Sequence, residues 1–453
     1  MCLAALLCSV AAMQSVAASS RQKSAPAADP VVRDIDPALW RTIESTQAFD
    51  NHAHPTLSPP DDSSDRNFDA LPVDNMAPQT DPLAWRPDNP QLKDAWDALW
   101  GFHGQPPLDA TGLRQIDAAR ARVKAREAQH YFAWVLKQAG IGTMLANRVS
   151  MGTGVEPPAF RWVPYADALL FPLDNSGLAK ATPDRAQFFP LEDKLRASYL
   201  EAVGMKQIPP SLDEYLDKVV TPTLEQQRRE GAVAEKFEVA YLRSFDFTDT
   251  PQDEAARIYA KGARGGESDQ REYMRLQDFL FRYIALQCGR LGMAVHLHTM
   301  SGGGGYFDIA GVNPLRLEPL FNDARLRNTR FVMLHGGWPF VREAGALLQK
   351  PNVYLDISQQ ALTFPPRTLA VWLREWLETF PDKVLFGTDG YPFSQSLGWE
   401  EATWIASRNA RQALGIALTG MMRDGEISRA RAEQIAGMVL RKNAQSLYGP
   451  SAK

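Results

Sequence analysis

Cysteine is nearly absent. The 453 residues hold three, and Cys2 and Cys8 fall in the first ten positions, which leaves Cys288 alone in the body. A disulfide framework and a Cys-rich metal site are both excluded there. Clustered basic charge is missing too: 49 Lys+Arg stand against 53 Asp+Glu, for a formal net charge of −4. Without a run of Lys and Arg to meet phosphates, nucleic acid is excluded as a partner and a small-molecule substrate is the expectation. No stretch reaches the ~20 apolar residues of a spanning helix, and Cys8 follows Leu7 where a lipid-anchored leader needs a small side chain, so no membrane anchor is expected. Residues 3–18 are apolar or small and end in Val16-Ala17-Ala18, which reads as a signal peptide over 1–18, although no Lys or Arg precedes Arg21. A periplasmic or secreted protein follows from that, with a cytoplasmic one as the alternative. Association into a homo-oligomer is compatible with this composition.

A polar linker over 19–35 leads into a body that alternates β-rich runs with long helical stretches, the pattern of a parallel α/β fold. Strands are expected at 48–52, 142–146, 160–165, 232–240, 293–299, 330–334, 353–357 and 383–387. Helices such as 271–290, 343–349 and 369–379 separate the later ones. Eight strands match a (β/α)8 TIM barrel, which in its plain form has ~250 residues. The excess length is placed in helical insertions after strands 1 and 3, at about 55–138 and 172–230, and in a helical C-terminal tail. One domain over 36–450 is the expectation.

Histidine is scarce, at seven residues, yet two His-x-His pairs occur, His52/His54 and His296/His298. Random placement gives ~0.1 such pairs, so the pairing is a signal. On a strand, residues i and i+2 share a face, and each pair aims two imidazoles the same way. Strand C-termini form the active-site end of a barrel. Two further elements end on chemistry-bearing residues: Phe331-Val332-Met333-Leu334-His335 and Val384-Leu385-Phe386-Gly387-Thr388-Asp389. Several imidazole nitrogens and a carboxylate make a cage for a divalent ion with a position open to water.

These residues bring a resemblance with them. Phe-Asp-Asn-His-Ala-His-Pro at 49–55, Lys236, His-Thr at 298–299, Leu-His-Gly-Gly-Trp-Pro-Phe at 334–340 and Gly-Thr-Asp-Gly-Tyr-Pro-Phe-Ser at 387–394 are similar, in order, to the motifs of the amidohydrolase superfamily. More narrowly they resemble its amidohydrolase-related (type 2) group, which includes domains fused to or found beside glutamine-synthetase-like proteins. The resemblance implies a divalent metal, Zn first with Mn or Fe as other candidates, held by His52, His54 and Asp389, with His298 and His335 as ligands or carbonyl-polarising groups. Asp389 would act as general base and then general acid, and His335 is the second catalytic candidate. The implied activity is hydrolysis of a C–N, amide-like bond in a small molecule. Non-oxidative decarboxylation, isomerisation and ligand binding without turnover are the alternatives.

Three roles fit Lys236, which would share an inward face with Glu238 and Ala240: a carboxylated bridge between two metal ions, a contact to a substrate carboxylate, or a buried ion pair with Glu238. One ion or two follows from that choice. His296, Arg148 and Arg243 are candidate substrate contacts, with Leu242 standing between Tyr241 and Arg243 where relatives have Tyr-Arg contiguous. His103 and His130 are expected to be non-catalytic. Gly302 to Gly305 lacks the Lys-Ser/Thr of a phosphate loop and is expected to form a mobile loop near the barrel mouth.

Overall fold

A computed structural model describes residues 30–449, apart from 59–63, 74–75, 77–84 and 267–268. The expected signal peptide lies outside the described residues. The linker ends earlier than expected: Ile35 is already buried, and it lies against Gly415, where a Cβ would come within 2.8 Å of its side chain.

All the expected strands form, as β1 (Ala48–Ala53), β2 (Ile141–Asn147), β3 (Phe160–Val163), β4 (Ala234–Phe237), β5 (Ala294–His298), β6 (Arg330–Leu334), β7 (Val353–Asp356) and β8 (Val384–Leu385). They pair in parallel with their sequence neighbours, in one arc of β1 to β3 and one of β4 to β8. Backbone hydrogen bonds span both seams between the arcs. Val233 N–H donates to Trp162 O at 3.0 Å and Lys236 N–H to Pro164 O at 2.8 Å. On the other side Asn51 N–H donates to Phe386 O at 2.9 Å and Asp389 N–H to His52 O at 2.8 Å. Runs such as Phe331-Val332-Met333-Leu334 suit strands covered on both faces, since parallel strands carry helices outside and side chains within.

β4 is shorter than its sequence suggests. The Asp167 carboxylate takes the Glu238 N–H at 2.7 Å, and Val239–Tyr241 wind into a 3-10 turn. Ala240 therefore leaves the strand face it was expected to share with Lys236.

Outer helices cover the arcs. The helix Gln270–Leu291 starts where Asp269 accepts the Glu272 N–H and stops at Gly292, whose φ of 68° an L-residue rarely adopts. The first insertion contributes Pro90–Trp100 and Ala110–Glu127, whereas Tyr131–Gln138, inside its expected bounds, packs on β2 as a barrel helix. The second contributes the long helix Pro183–Ala202. Inside, Phe49, Leu145, Val163, Ala234, Ala294, Val332 and Leu385 form one cluster with Leu447 and Tyr448 of the last helix, Asn443–Tyr448. The C-terminal helix thus closes the N-terminal end of the strands, and Arg161 anchors it by donating to the Tyr448 and Gly449 carbonyls. Among the described residues no helix is long and apolar enough to cross a membrane.

Candidate metal centre

β1 ends between two partners, and its pairing with β2 shifts register after Asp50. Asp50 turns instead to the β8 side, where it accepts the Thr388 N–H at 2.9 Å and the Thr388 hydroxyl. Burial holds its carboxyl up at about 7. These bonds draw the strand-8 end against β1 and bring Asp389 beside the two histidines.

His52 Nε2 lies 3.3 Å from His54 Nε2. Asp389 Oδ1 lies 3.2 Å from the first and 3.5 Å from the second. Bonds of ~2.0–2.2 Å from a common point at tetrahedral angles would set their outer atoms ~3.3–3.6 Å apart. The three donors therefore fit one face of a tetrahedral cation site, and all three residues are buried. Burial, then the charge of Lys236, push both imidazoles well below their ordinary value, which leaves them neutral, the form that ligates. Asp389 has φ 56° and His335 φ 67°. Backbone in that region costs ~1–3 kcal/mol for residues with a Cβ and persists where surrounding contacts over-determine it.

His335 Nδ1 stands 3.7 Å from Asp389 Oδ2 and 2.9 Å from Ser358 Oγ. The serine hydroxyl donates to Asp356 Oδ1 at 2.6 Å, so His335 Nδ1–H donates to the serine oxygen. Burial, then His298 and Lys236, lower the His335 imidazole. His298 does not join the three donors through Nε2, which turns to the Met300 carbonyl at 2.7 Å and the Tyr241 hydroxyl at 3.2 Å. Lys236 reaches within 3.4 Å of His52 Nε2 and 3.6 Å of Glu238 Oε1, and is 1% exposed. Lys236 thus lies between the donor set and Glu238.

Three expected substrate contacts have polar atoms engaged within the protein. Arg148 spends its guanidinium on Asp65, the Pro55 carbonyl and the Ser150 carbonyl. Arg243 spends its own on Asp278, Gln277 and the Met274, Ser244 and Asp246 carbonyls. All five N–H donors of Arg243 are engaged, and four of the five of Arg148. His296 points away from the donors, with Nε2 2.7 Å from the Tyr448 hydroxyl.

Tyr241, Ser358, Asp356, Tyr165 and Asp69 were not singled out by sequence. Tyr241 packs on His298 at 4.7 Å between ring centres, and Phe307 and Phe188 pack on Tyr241. The glycine run has its reason here: a Cβ on Gly302 would sit 2.2 Å from the Tyr241 ring, and one on Gly304 2.5 Å from Asp184 Oδ2. Across the mouth, Tyr391 packs on His54 and on Phe68 of the first insertion. Both insertions thus wall the entrance.

A family model described as amidohydrolase matches residues 234–449, from β4 to the C-terminal helix. The protein fluG of Emericella nidulans is 32% identical over 156 residues, 34% of this chain, and that match spans 17% of fluG's own length. Among solved structures, a protein described as a metal-dependent hydrolase of Lactobacillus casei superposes with a TM-score of 0.55 at 16% identity, over 90% of this chain and 97% of its own. Glucuronate isomerase of Caulobacter crescentus does so with a TM-score of 0.58 at 15% identity, over 94% and 96%. At such identities the superpositions show a shared fold.

Proposed function

We propose, from the match of residues 234–449 to the amidohydrolase family model, that the chain is a metal-dependent hydrolase that cleaves a C–N, amide-like bond of a small molecule. The observation that carries this is the triangle of His52 Nε2, His54 Nε2 and Asp389 Oδ1, with edges of 3.2 to 3.5 Å. A divalent cation there, with zinc the first candidate, supplies a Lewis acid and brings the acidity of water from 15.7 towards ~7. His52 and His54 present neutral nitrogens and Asp389 a negative oxygen. Asp389 is also the proton acceptor, since its Oδ1 stands in the donor set and its Oδ2 faces His335. It takes a proton during attack and returns it to the leaving nitrogen. His335, with its Nδ1–H spent on Ser358, keeps an Nε2 lone pair, which can ligate or accept a proton.

Lys236 paired with Glu238 favours one ion over two. A carboxylated Lys236 would set a second anion against Glu238, with Asp167 and Glu192 close enough to raise the Glu238 carboxyl after burial has done so. The test is metal analysis of purified protein together with a panel of amides, esters and lactones. Near one divalent ion per chain, with amine or ammonia released, is expected. Release of CO2 without amine, or isomerisation without either, would overturn the C–N assignment, and binding without turnover would overturn the enzyme.

A further inference from the structure

His54 is held from behind by a segment that belongs to no strand. Its Nδ1 lies 3.4 Å from the Phe68 carbonyl and 3.2 Å from the Tyr165 hydroxyl. That hydroxyl donates to Asp69 Oδ1 at 2.7 Å. A carbonyl can only accept, and a hydroxyl already donating to a carboxylate offers Nδ1 only a lone pair. Nδ1 therefore carries the imidazole proton, and Nε2 turns its lone pair to Asp389 and His52. The other tautomer would place a proton where a cation has to bind.

Phe68 and Asp69 lie on a strap, residues 65–69, within the first insertion. Arg148, at the end of β2, grips its start through two parallel bonds to Asp65, at 2.9 and 3.0 Å. Asp65 also accepts the Leu57 N–H at 2.8 Å, and Val149 N–H donates to Asn67 O at 2.8 Å. Trp162 Nε1–H donates to the Arg148 carbonyl at 2.9 Å, which fixes the gripping residue in turn. Arg148, Tyr165 and Asp69 are all buried. His335 has the same hydroxyl–carboxylate backing from Ser358 and Asp356, but those residues stand at the end of β7. Behind His54, by contrast, the Phe68 carbonyl and Asp69 come from an insertion.

We propose that the 65–69 strap is a positioning device for the metal centre. The Phe68 carbonyl and the Tyr165–Asp69 pair set the tautomer and ring orientation of His54, and the Arg148–Asp65 clamp keeps them in place. The inference rests on the proposal that His52, His54 and Asp389 hold a divalent cation. It makes Arg148, which touches no ligand of that cation, a determinant of its retention. Removing a hydrogen-bonded partner behind a metal-binding histidine typically lowers metal affinity 10- to 100-fold.

The test uses the full chain. The Zn2+ dissociation constant is measured by chelator competition for the wild type, Tyr165→Phe, Asp69→Ala, Arg148→Ala and Arg148→Lys. Nitrogen-15 shifts of His54 are recorded in metal-free protein and assigned by their loss in His54→Gln. Expected are an Nδ1–H tautomer in the wild type and a dissociation constant raised ~10- to 100-fold in Tyr165→Phe and Asp69→Ala. Arg148→Ala should raise it as well, with partial recovery in Arg148→Lys and less than additive loss when combined with Tyr165→Phe. Wild-type affinity in Tyr165→Phe, which keeps the ring and loses one oxygen, would overturn the proposal. So would an Nε2–H tautomer in the metal-free wild type. A wild type that binds no divalent metal would overturn the proposed function, while the tautomer measurement would still decide the strap.

Discussion

Tyr448→Phe removes a single oxygen from the bottom of the barrel. The ring stays packed near Phe49, at 5.9 Å between centres, so the apolar contacts survive and the hydroxyl alone is tested. That hydroxyl donates to Asn51 Oδ1 at 2.5 Å and accepts from His296 Nε2–H at 2.7 Å. Both His296 and Asn51 are fully buried, so the substitution strands one donor and one acceptor away from water. Each stranded group costs ~1–3 kcal/mol, which together gives a loss of ~2–6 kcal/mol. Equilibrium urea unfolding reads it as a lower midpoint at an unchanged denaturant slope. In a His296→Leu background the donor is already gone, and Tyr448→Phe should there cost ~1–3 kcal/mol less. A loss below ~0.5 kcal/mol in the single variant would refute this reasoning, because surface substitutions without buried partners fall in that range.

Asp389→Asn keeps an oxygen in the donor set but loses the base, so kcat should fall at least ~10²-fold with most metal retained; near-normal turnover would remove Asp389 from the chemistry. His52→Ala and His54→Ala each delete a ligating nitrogen, and metal analysis should show lower occupancy in both. Glu400 is buried with its carboxyl pushed up to about 7, by burial first and the charge of Glu401 second. A carboxyl raised in the folded state contributes stability at low pH that is lost as pH rises through about 7. Glu400→Gln should therefore flatten the fall in stability between about pH 4.5 and 7, and an unchanged difference in unfolding free energy between those two pH values would contradict the assignment.

The local part of this protein was legible in the chain. His52 and His54 share a face because strand geometry repeats every two residues, and that periodicity needs no knowledge of the rest of the fold. The same holds for His335, directly after an apolar run, for Asp389, a Gly-Thr beyond one, and for the strand count, since buried parallel strands are written as continuous apolar segments. The end of β4 was less legible: nothing within 232–240 shows that Asp167, far back in the chain, would take the Glu238 N–H and stop the strand.

The roles of the arginines lay further out of reach. A lone Arg148 after β2 reads equally as a ligand anchor or a clamp, and the choice rests on Asp65, 83 positions earlier in a loop with no periodicity. Arg243 is settled the same way by Asp278, 35 positions on. Sequence by itself determined which side chains leave strands on a common face, because dihedral geometry acts between near neighbours. Only the tertiary structure decided which charges are spent, which tautomer His54 holds and which end the last helix closes, because hydrogen bonds and Coulomb attraction act between atoms that folding brings within a few ångströms, whatever their distance along the chain.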